Sequence, residues 1–230
     1  MILGNRYLAF DSIKYERVLF VAHREEIIKQ AAISFKNVRK SNDIGFFYGN
    51  NKDTSNKFVF ALVQTLGKEK YLNCKYLPRN YFDYIVIDEF HHAVSNNYKN
   101  IMEYFKPKFL LGLTATPERL DSKDVFALCD YNIVYEVRLK EAINKGWLVP
   151  FRYYGIYDET VKYEDIEFKN GKYNDKELVE ALMLSKRGDL ILNNYLKYNS
   201  KIAMGFCTSK KHGEYMAKYF SENGSRYATT

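Results

Sequence analysis

Four short runs constrain the fold more than anything else in the chain: RVLFVA at 17–22, FVFALV at 58–63, YIVI at 84–87 and KFLLGL at 108–113. A strand with one face in water alternates apolar and polar residues. These runs do not alternate, which suits strands covered on both faces, as in a parallel sheet. Helical patterns separate them. Ile27, Ile28, Ala31, Ala32 and Phe35 recur on one helical face after the first run, and Tyr98, Ile101, Met102 and Phe105 after the third. Between the first two runs, YGNNKDTSN is rich in turn residues, Gly49 and Asp53 among them. Alternating strands and helices predict an α/β fold, a parallel sheet flanked by helices, whose ligands gather beyond the carboxyl ends of its strands.

The pattern changes near residue 147. A short helix around Leu139, Ala142 and Ile143 is ended by Gly146, and Trp147-Leu148-Val149-Pro150 opens something new. This places a domain boundary there, with residues 1–146 before it and 147–230 after. The second part begins with the strand-like FRYYGIY at 151–157. A helix follows, capped by Asn174 or Asp175, with Leu178, Val179, Leu182 and Met183 as its apolar stripe. KIAMGF at 201–206 reads as a strand, and His212, Met216, Tyr219 and Phe220 share a face of the next helix. So few elements predict only part of a second domain.

Composition narrows the class. Hydrophobic residues at 47% and charged residues at 27% exclude a disordered chain. No apolar run reaches membrane-span length and the N-terminus has no signal-peptide layout, so a cytoplasmic protein is expected. Cys74, Cys129 and Cys207 are far apart with no CxxC pair, and read as reduced thiols. A net charge of +7 would favour a polyanionic partner, but the lysines are scattered, and by charge alone a solvated surface is the first reading.

The segment YIVIDEFHH, residues 84–92, carries the chemistry. A buried strand delivers Asp88 and Glu89 together at its carboxyl end, where adjacent carboxylates repel unless a cation or solvent stabilises them. Magnesium bound to nucleotide phosphates is such a cation, since it takes oxygen ligands and needs only one or two carboxylates. Asp88 then holds the metal through water, and Glu89 orients and deprotonates the attacking water. A lone DE pair is often only a solvated turn. The apolar strand and the two histidines argue against that here. One strand and one helix later, LLGLTATPERLD at 110–121 ends a second buried run in Thr114, Ala115 and Thr116, and Pro117 prevents the strand from continuing.

Taken in order, VLFVAHREEIIKQ, VQTL, DEFHH, GLTATPER and GFCTSKKHGEYMAKYF resemble the DEAD/DEAH-type superfamily 2 helicases, and within them the restriction-enzyme Res-like branch. The likeness extends to bacterial proteins that join such a core to an N-terminal phospholipase-D-like nuclease domain. It implies RecA-like domains, ATP and magnesium as cofactors, and nucleic acid, DNA in this branch, as partner. His23 and Arg24 match motif Ia, and Gln64 and Thr65 the next strand-end motif; both face the bound strand in the family. Asp88, Glu89 and His91 match the catalytic DExH box. Thr114, Ala115 and Thr116 match motif III, which couples hydrolysis to movement. Thr208 and Ser209 match motif IV, at the start of the second RecA-like domain.

Plainer roles stay open for several of these. Arg24 can pair with Glu25 or Asp88 instead of a phosphate, and Gln64 and Thr65 can be an ordinary strand exit. His92 suits a structural role. His212, on an apolar helix face, suits packing more than catalysis, and most of the twenty-one tyrosines suit the core.

Two family features are missing. No G-x-x-x-x-G-K-[ST] phosphate loop occurs in these residues, where the order Gly-Lys is found only at Gly67-Lys68 and Gly171-Lys172. There is no Gly-Arg pair for the late arginine motif, and only Arg226 follows Arg187. The expectation is therefore the central fragment of a helicase or translocase, not ATPase-competent by itself, with residues 1–12 as the helix after the phosphate loop. The alternative is a RecA-like scaffold that binds DNA or protein without catalysis.

Overall fold

The computed structural model describes residues 2–116, 125–169, 171–198 and 201–224, and the side chains from Arg6 onward within them. Two compact units emerge, Met1–Arg138 and Leu139–Thr230.

The first unit opens with helix α1 (Ile2–Asp11) and then strand β1 (Val18–Ala22), helix α2 (Glu25–Arg39) and strand β2 (Ile44–Tyr48). A two-residue strand β3 (Asn51–Lys52) folds back on β2. Strand β4 (Phe58–Leu62) runs into the single turn of α3 (Val63–Leu66). Strand β5 (Tyr84–Asp88), helix α4 (Asn96–Tyr104) and strand β6 (Phe109–Leu113) complete the unit. The strands form one sheet in the order β3-β2-β4-β1-β5-β6, parallel except for β3.

Both faces of this sheet are covered, as the apolar runs require. Leu19, Val21, Val59, Ala61, Ile85 and Ile87 point to one side, where Ile101 and Phe105 of the α4 segment meet them. Val18, Phe20, Phe58, Phe60, Tyr84 and Val86 point to the other, against Ile28 and Phe35 of α2. Each such side chain contributes about 1.5–3 kcal/mol at most. Helix α1 lies on α2, and Arg39 ties them by donating to the carbonyls of Ser12 and Tyr15. Strand β2 answers to no run named from the sequence. Its burial alternates, Gly45 interrupts it, and the turn-rich stretch after it contains the hairpin to β3.

The second unit contains helix α5 (Leu139–Asn144), the hairpin of β7 (Phe168–Lys169) and β8 (Lys172–Tyr173), and helices α6 (Asp175–Leu182), α7 (Ser185–Lys197) and α8 (Lys210–Asn223). Gly146 follows α5 with φ +71°, the left-handed position that favours glycine at a helix end. Asn174, not Asp175, caps α6, accepting from the Lys176 N–H at 3.1 Å. The two strand expectations do not hold here. Residues 151–157 and 201–206 form no ladder with any described residue and are exposed almost throughout; Ile202 and Phe206 are 92% and 91% exposed. β propensity fits a chain to a pleated surface but supplies no neighbour for its N–H and C=O groups.

Candidate active site at the carboxyl edge of the sheet

Strand register brings the sequence motifs together. Val21 of β1 is level with Ile87 of β5, and Asp88 is level with Leu113 of β6. The chain therefore leaves the sheet at His23, at Glu89 and at Thr114 from three adjacent strands. Strand β4, on the other flank of β1, ends at Leu62 opposite Ala22 and delivers Gln64 to His23, with Thr65 next in α3.

Glu89 itself turns the corner. Its φ and ψ of 52° and 49° are left-handed, a conformation that costs a non-glycine residue about 1–3 kcal/mol. The turn lets Phe90–His92 wind into one 3₁₀ turn, whose His92 N–H donates to the Glu89 carbonyl at 2.9 Å. What holds it down is Phe90, 4% exposed and packed flat on Gly112 of β6. A Cβ at Gly112 would stand 2.5 Å from the Phe90 ring, so only glycine fits there without displacing it. A glycine inside an apolar run signals such close approach, and Gly112 is a positioning residue that the motif pattern did not single out.

His91 links the two motifs. Its Nδ1 lies 3.2 Å from Glu89 Oε2 and 2.9 Å from Thr114 Oγ1. A protonated Nδ1 donates toward both oxygens, whereas a bare Nδ1 accepts from the Thr114 hydroxyl. Thr114 Oγ1 also accepts the Thr116 N–H at 3.1 Å, which shapes the exit from β6; Ala115 and Thr116 are exposed there. Pro117, Glu118, Arg119, Leu120 and Asp121 of that motif lie outside the described residues, as does Arg226.

Asp88 is partly buried, and burial, reinforced by the neighbouring Glu89 charge, pushes its carboxyl above the usual range despite a backbone hydrogen bond from Glu89 and the nearby His23. Such a group gains from an added cation. Two buried polar atoms close to it lack partners among the described residues, His23 Nδ1 and the Tyr98 hydroxyl. Tyr98 is pushed up to about 12 by burial and by Asp88 and Glu89. No cluster of three or more His, Cys, Asp or Glu side chains suited to a metal exists among the described residues. An oxygen donor such as the raised Asp88 carboxyl fits the kind of site in which magnesium takes one or two carboxylates.

The remaining expected residues divide. Gln64 Nε2 donates to the His23 carbonyl at 2.8 Å, tying the β4 exit to the β1 exit. Arg24 is exposed, and Glu25 pairs with Lys29 at 2.6 Å instead. His92 packs against His91 and His23, with ring centroids 4.2 Å and 6.1 Å away. In the second unit, Ser209 caps α8 by accepting the His212 N–H at 3.2 Å. Thr208 Oγ1 lies 3.2 Å from His212 Nδ1, and His212 is 4% exposed, a packed residue. Burial, and then the Arg187 charge, hold its pKa down.

The family model described as "Type III restriction enzyme, res subunit" matches residues 4–119, which hold every one of these strand ends. The chain belongs to that family. Similar proteins include one of Saccharomyces cerevisiae assigned as the ATP-dependent helicase IRC3, 28% identical over 223 residues, covering 90% of this chain and 31% of the relative. The type I restriction enzyme EcoAI endonuclease subunit of Escherichia coli is 27% identical over 256 residues, covering 94% of this chain and 30% of the subunit. Among solved structures, a fragment assigned as an HsdR subunit of a type I restriction enzyme from Vibrio vulnificus YJ016 superposes with a TM-score of 0.56 at 27% identity, over 90% of this chain and 34% of that one. This member of the Res family thus spans about a third of the length of these relatives, and the matched residues hold the mostly parallel, helix-flanked sheet of its first unit. Among the described residues no helix is long and apolar enough to cross a membrane.

Proposed function

We propose that this chain is the central part of an ATP-dependent DNA helicase or translocase of the cytoplasm. Residues 1–146 are its first RecA-like domain without the phosphate loop, and residues 147–230 begin the second; a phospholipase-D-like nuclease domain in the same polypeptide completes the expected whole protein. The observation that carries this is the convergence of three parallel strand ends on Asp88, Glu89, His91 and Thr114, with His91 bridging the catalytic box and the TAT segment.

In that reading Asp88 holds magnesium through water, and the metal neutralises charge on the phosphates of ATP. Glu89 orients a water and takes its proton. His91 fixes the Glu89 carboxylate and transmits its position to Thr114, Ala115 and Thr116, which couple hydrolysis to movement of the strand. His23, Arg24, Gln64, Thr65, Thr208 and Ser209 face the DNA backbone, a sequence-independent grip supported by the net charge of +7.

The test uses the whole protein. Glu89→Gln is expected to keep ATP affinity while slowing hydrolysis about 10²- to 10⁴-fold, the range of a lost general base. Asp88→Asn is expected to weaken magnesium-dependent binding instead. Equal loss of nucleotide affinity in both variants contradicts the division of roles. The 230-residue chain alone is expected to hydrolyse no ATP, for want of a phosphate cradle; turnover that Glu89→Gln abolishes means other residues build that cradle.

A further inference from the structure

Residues 67–81, between α3 and β5, carry Lys68, Lys70, Lys75 and Arg79 against a single acid, Glu69, together with three tyrosines. They form a fixed surface. A Cβ at Gly67 would stand 2.5 Å from the Asn97 carbonyl oxygen, so the backbone sits directly on α4, and Asn100 Nδ2 donates to the Gly67 carbonyl at 3.0 Å. Leu77 is wholly buried, and the Tyr104 hydroxyl donates to its carbonyl at 2.7 Å. With the backbone pinned from within, aromatic and basic groups are left outside. Tyr71 stands edge-on to Phe47 and to Tyr76, with centroids 5.1 Å and 5.4 Å away. Lys70 Nζ lies 4.8 Å from the Tyr71 ring, and Tyr76 is 42% exposed.

The sheet order sets this cluster in line with the candidate site. Phe47 is the penultimate residue of β2, at its carboxyl end, and β2, β4 and β1 are consecutive neighbours. The row of strand ends runs from the tyrosines through Gln64 and Thr65 to His23 and Arg24. Adjacent strands lie about 4.8 Å apart, so β2 ends roughly 10 Å from β1, a gap that a few nucleotides of one strand can bridge.

We propose that Tyr76, backed by Tyr71 and flanked by Lys70 and Lys75, is a base-stacking platform that extends the track and selects single-stranded nucleic acid. It rests on the reading that His23, Arg24, Gln64 and Thr65 face a bound strand. The lysines attract any phosphate backbone, whereas a tyrosine face stacks only on an unpaired base, of any identity.

Fluorescence anisotropy on the 230-residue chain tests it with two probes of equal length and charge, an oligothymidylate and its abasic counterpart. Tyr76→Ala is expected to weaken thymidylate binding about fivefold or more and leave abasic binding unchanged, and Tyr76→Phe to bind as the parent does. Lys70→Ala with Lys75→Ala is expected to weaken both probes and flatten the salt dependence. If Tyr76→Ala leaves thymidylate affinity intact, or lowers both affinities alike, while Arg24→Ala still weakens binding, the platform is wrong and the track stands. If the parent binds neither probe, the nucleic-acid reading falls and the platform with it.

Discussion

The two units are held together by different means. The sheet unit packs strands with aromatic interiors between helices: Phe60 alone has the rings of Phe20, Phe35 and Phe46 within 6.2 Å of its own, centroid to centroid. In the second unit the buried apolar core among the described residues is small, with Val161, Ile166 and Leu182 as its cluster. Its helices are held by particular contacts instead. Arg187 Nε donates to Asp158 at 2.8 Å, the Tyr219 hydroxyl donates to Asp189 at 2.7 Å, and Gly188 admits the Tyr219 ring where a Cβ would be 2.7 Å away. Apolar area is collective and tolerant, whereas point contacts fail one at a time. Local stability is therefore expected to be higher in the sheet unit, and hydrogen exchange resolved by element measures it.

The largest effect expected is from Phe60→Ala, a loss of about 3–5 kcal/mol for an emptied aromatic site. Protection should fall together in β1, β4 and β5 while α7 and α8 keep theirs. Equal loss in α7 and α8 breaks the contrast.

A smaller effect, about 1.5–3 kcal/mol, is expected from Arg187→Ala, which removes a charge-assisted hydrogen bond and leaves Asp158 with Thr160 alone. It should appear as faster exchange in α7 and nothing in the sheet. Burial works against ionisation of Asp158, but hydrogen bonds from Thr160 and Arg187 prevail and hold its carboxyl below the usual range. A carboxyl lowered on folding stabilises above its unfolded pKa of about 3.9, and that stability is lost as pH falls through the folded value. The acid-dependent loss in this unit should be shallower in Arg187→Ala; an unchanged acid limb assigns the shift to Thr160.

The smallest, about 1 kcal/mol, is expected from Ser209→Ala, which uncaps α8. It should fray the first turn of α8, and Ser209→Asp should restore it. If the aspartate fails to restore that turn, Ser209 holds α8 by something other than its cap.

Much of the site was legible because its parts are local. An apolar run followed by Asp88-Glu89 marks a strand end, and a second run ending in Thr114 marks another; the parallel order then places them side by side. What could not be read is what neighbours impose. The left-handed Glu89 depends on Phe90 meeting Gly112, and the double contact of His91 on register between β5 and β6. Strand β2 escaped because its alternating, glycine-interrupted pattern is weak, while 151–157 and 201–206 have strand composition without a partner. Thr208 and Ser209 also hold the first turn of α8, a role their place in a family motif did not show.

The left-handed Glu89 also makes one strand's corner depend on the arrival of another. Asp88 is separated from its neighbour Leu113 by all of α4, and the Phe90 ring has no seat until Gly112 arrives beside it. Before β6 pairs with β5, the contact of Phe90 with Gly112 cannot offset the unfavourable backbone at Glu89. The acidic corner is thus expected to gain its support only as β6 pairs with β5, so Asp88 and Glu89 depend on a strand that follows them in the chain.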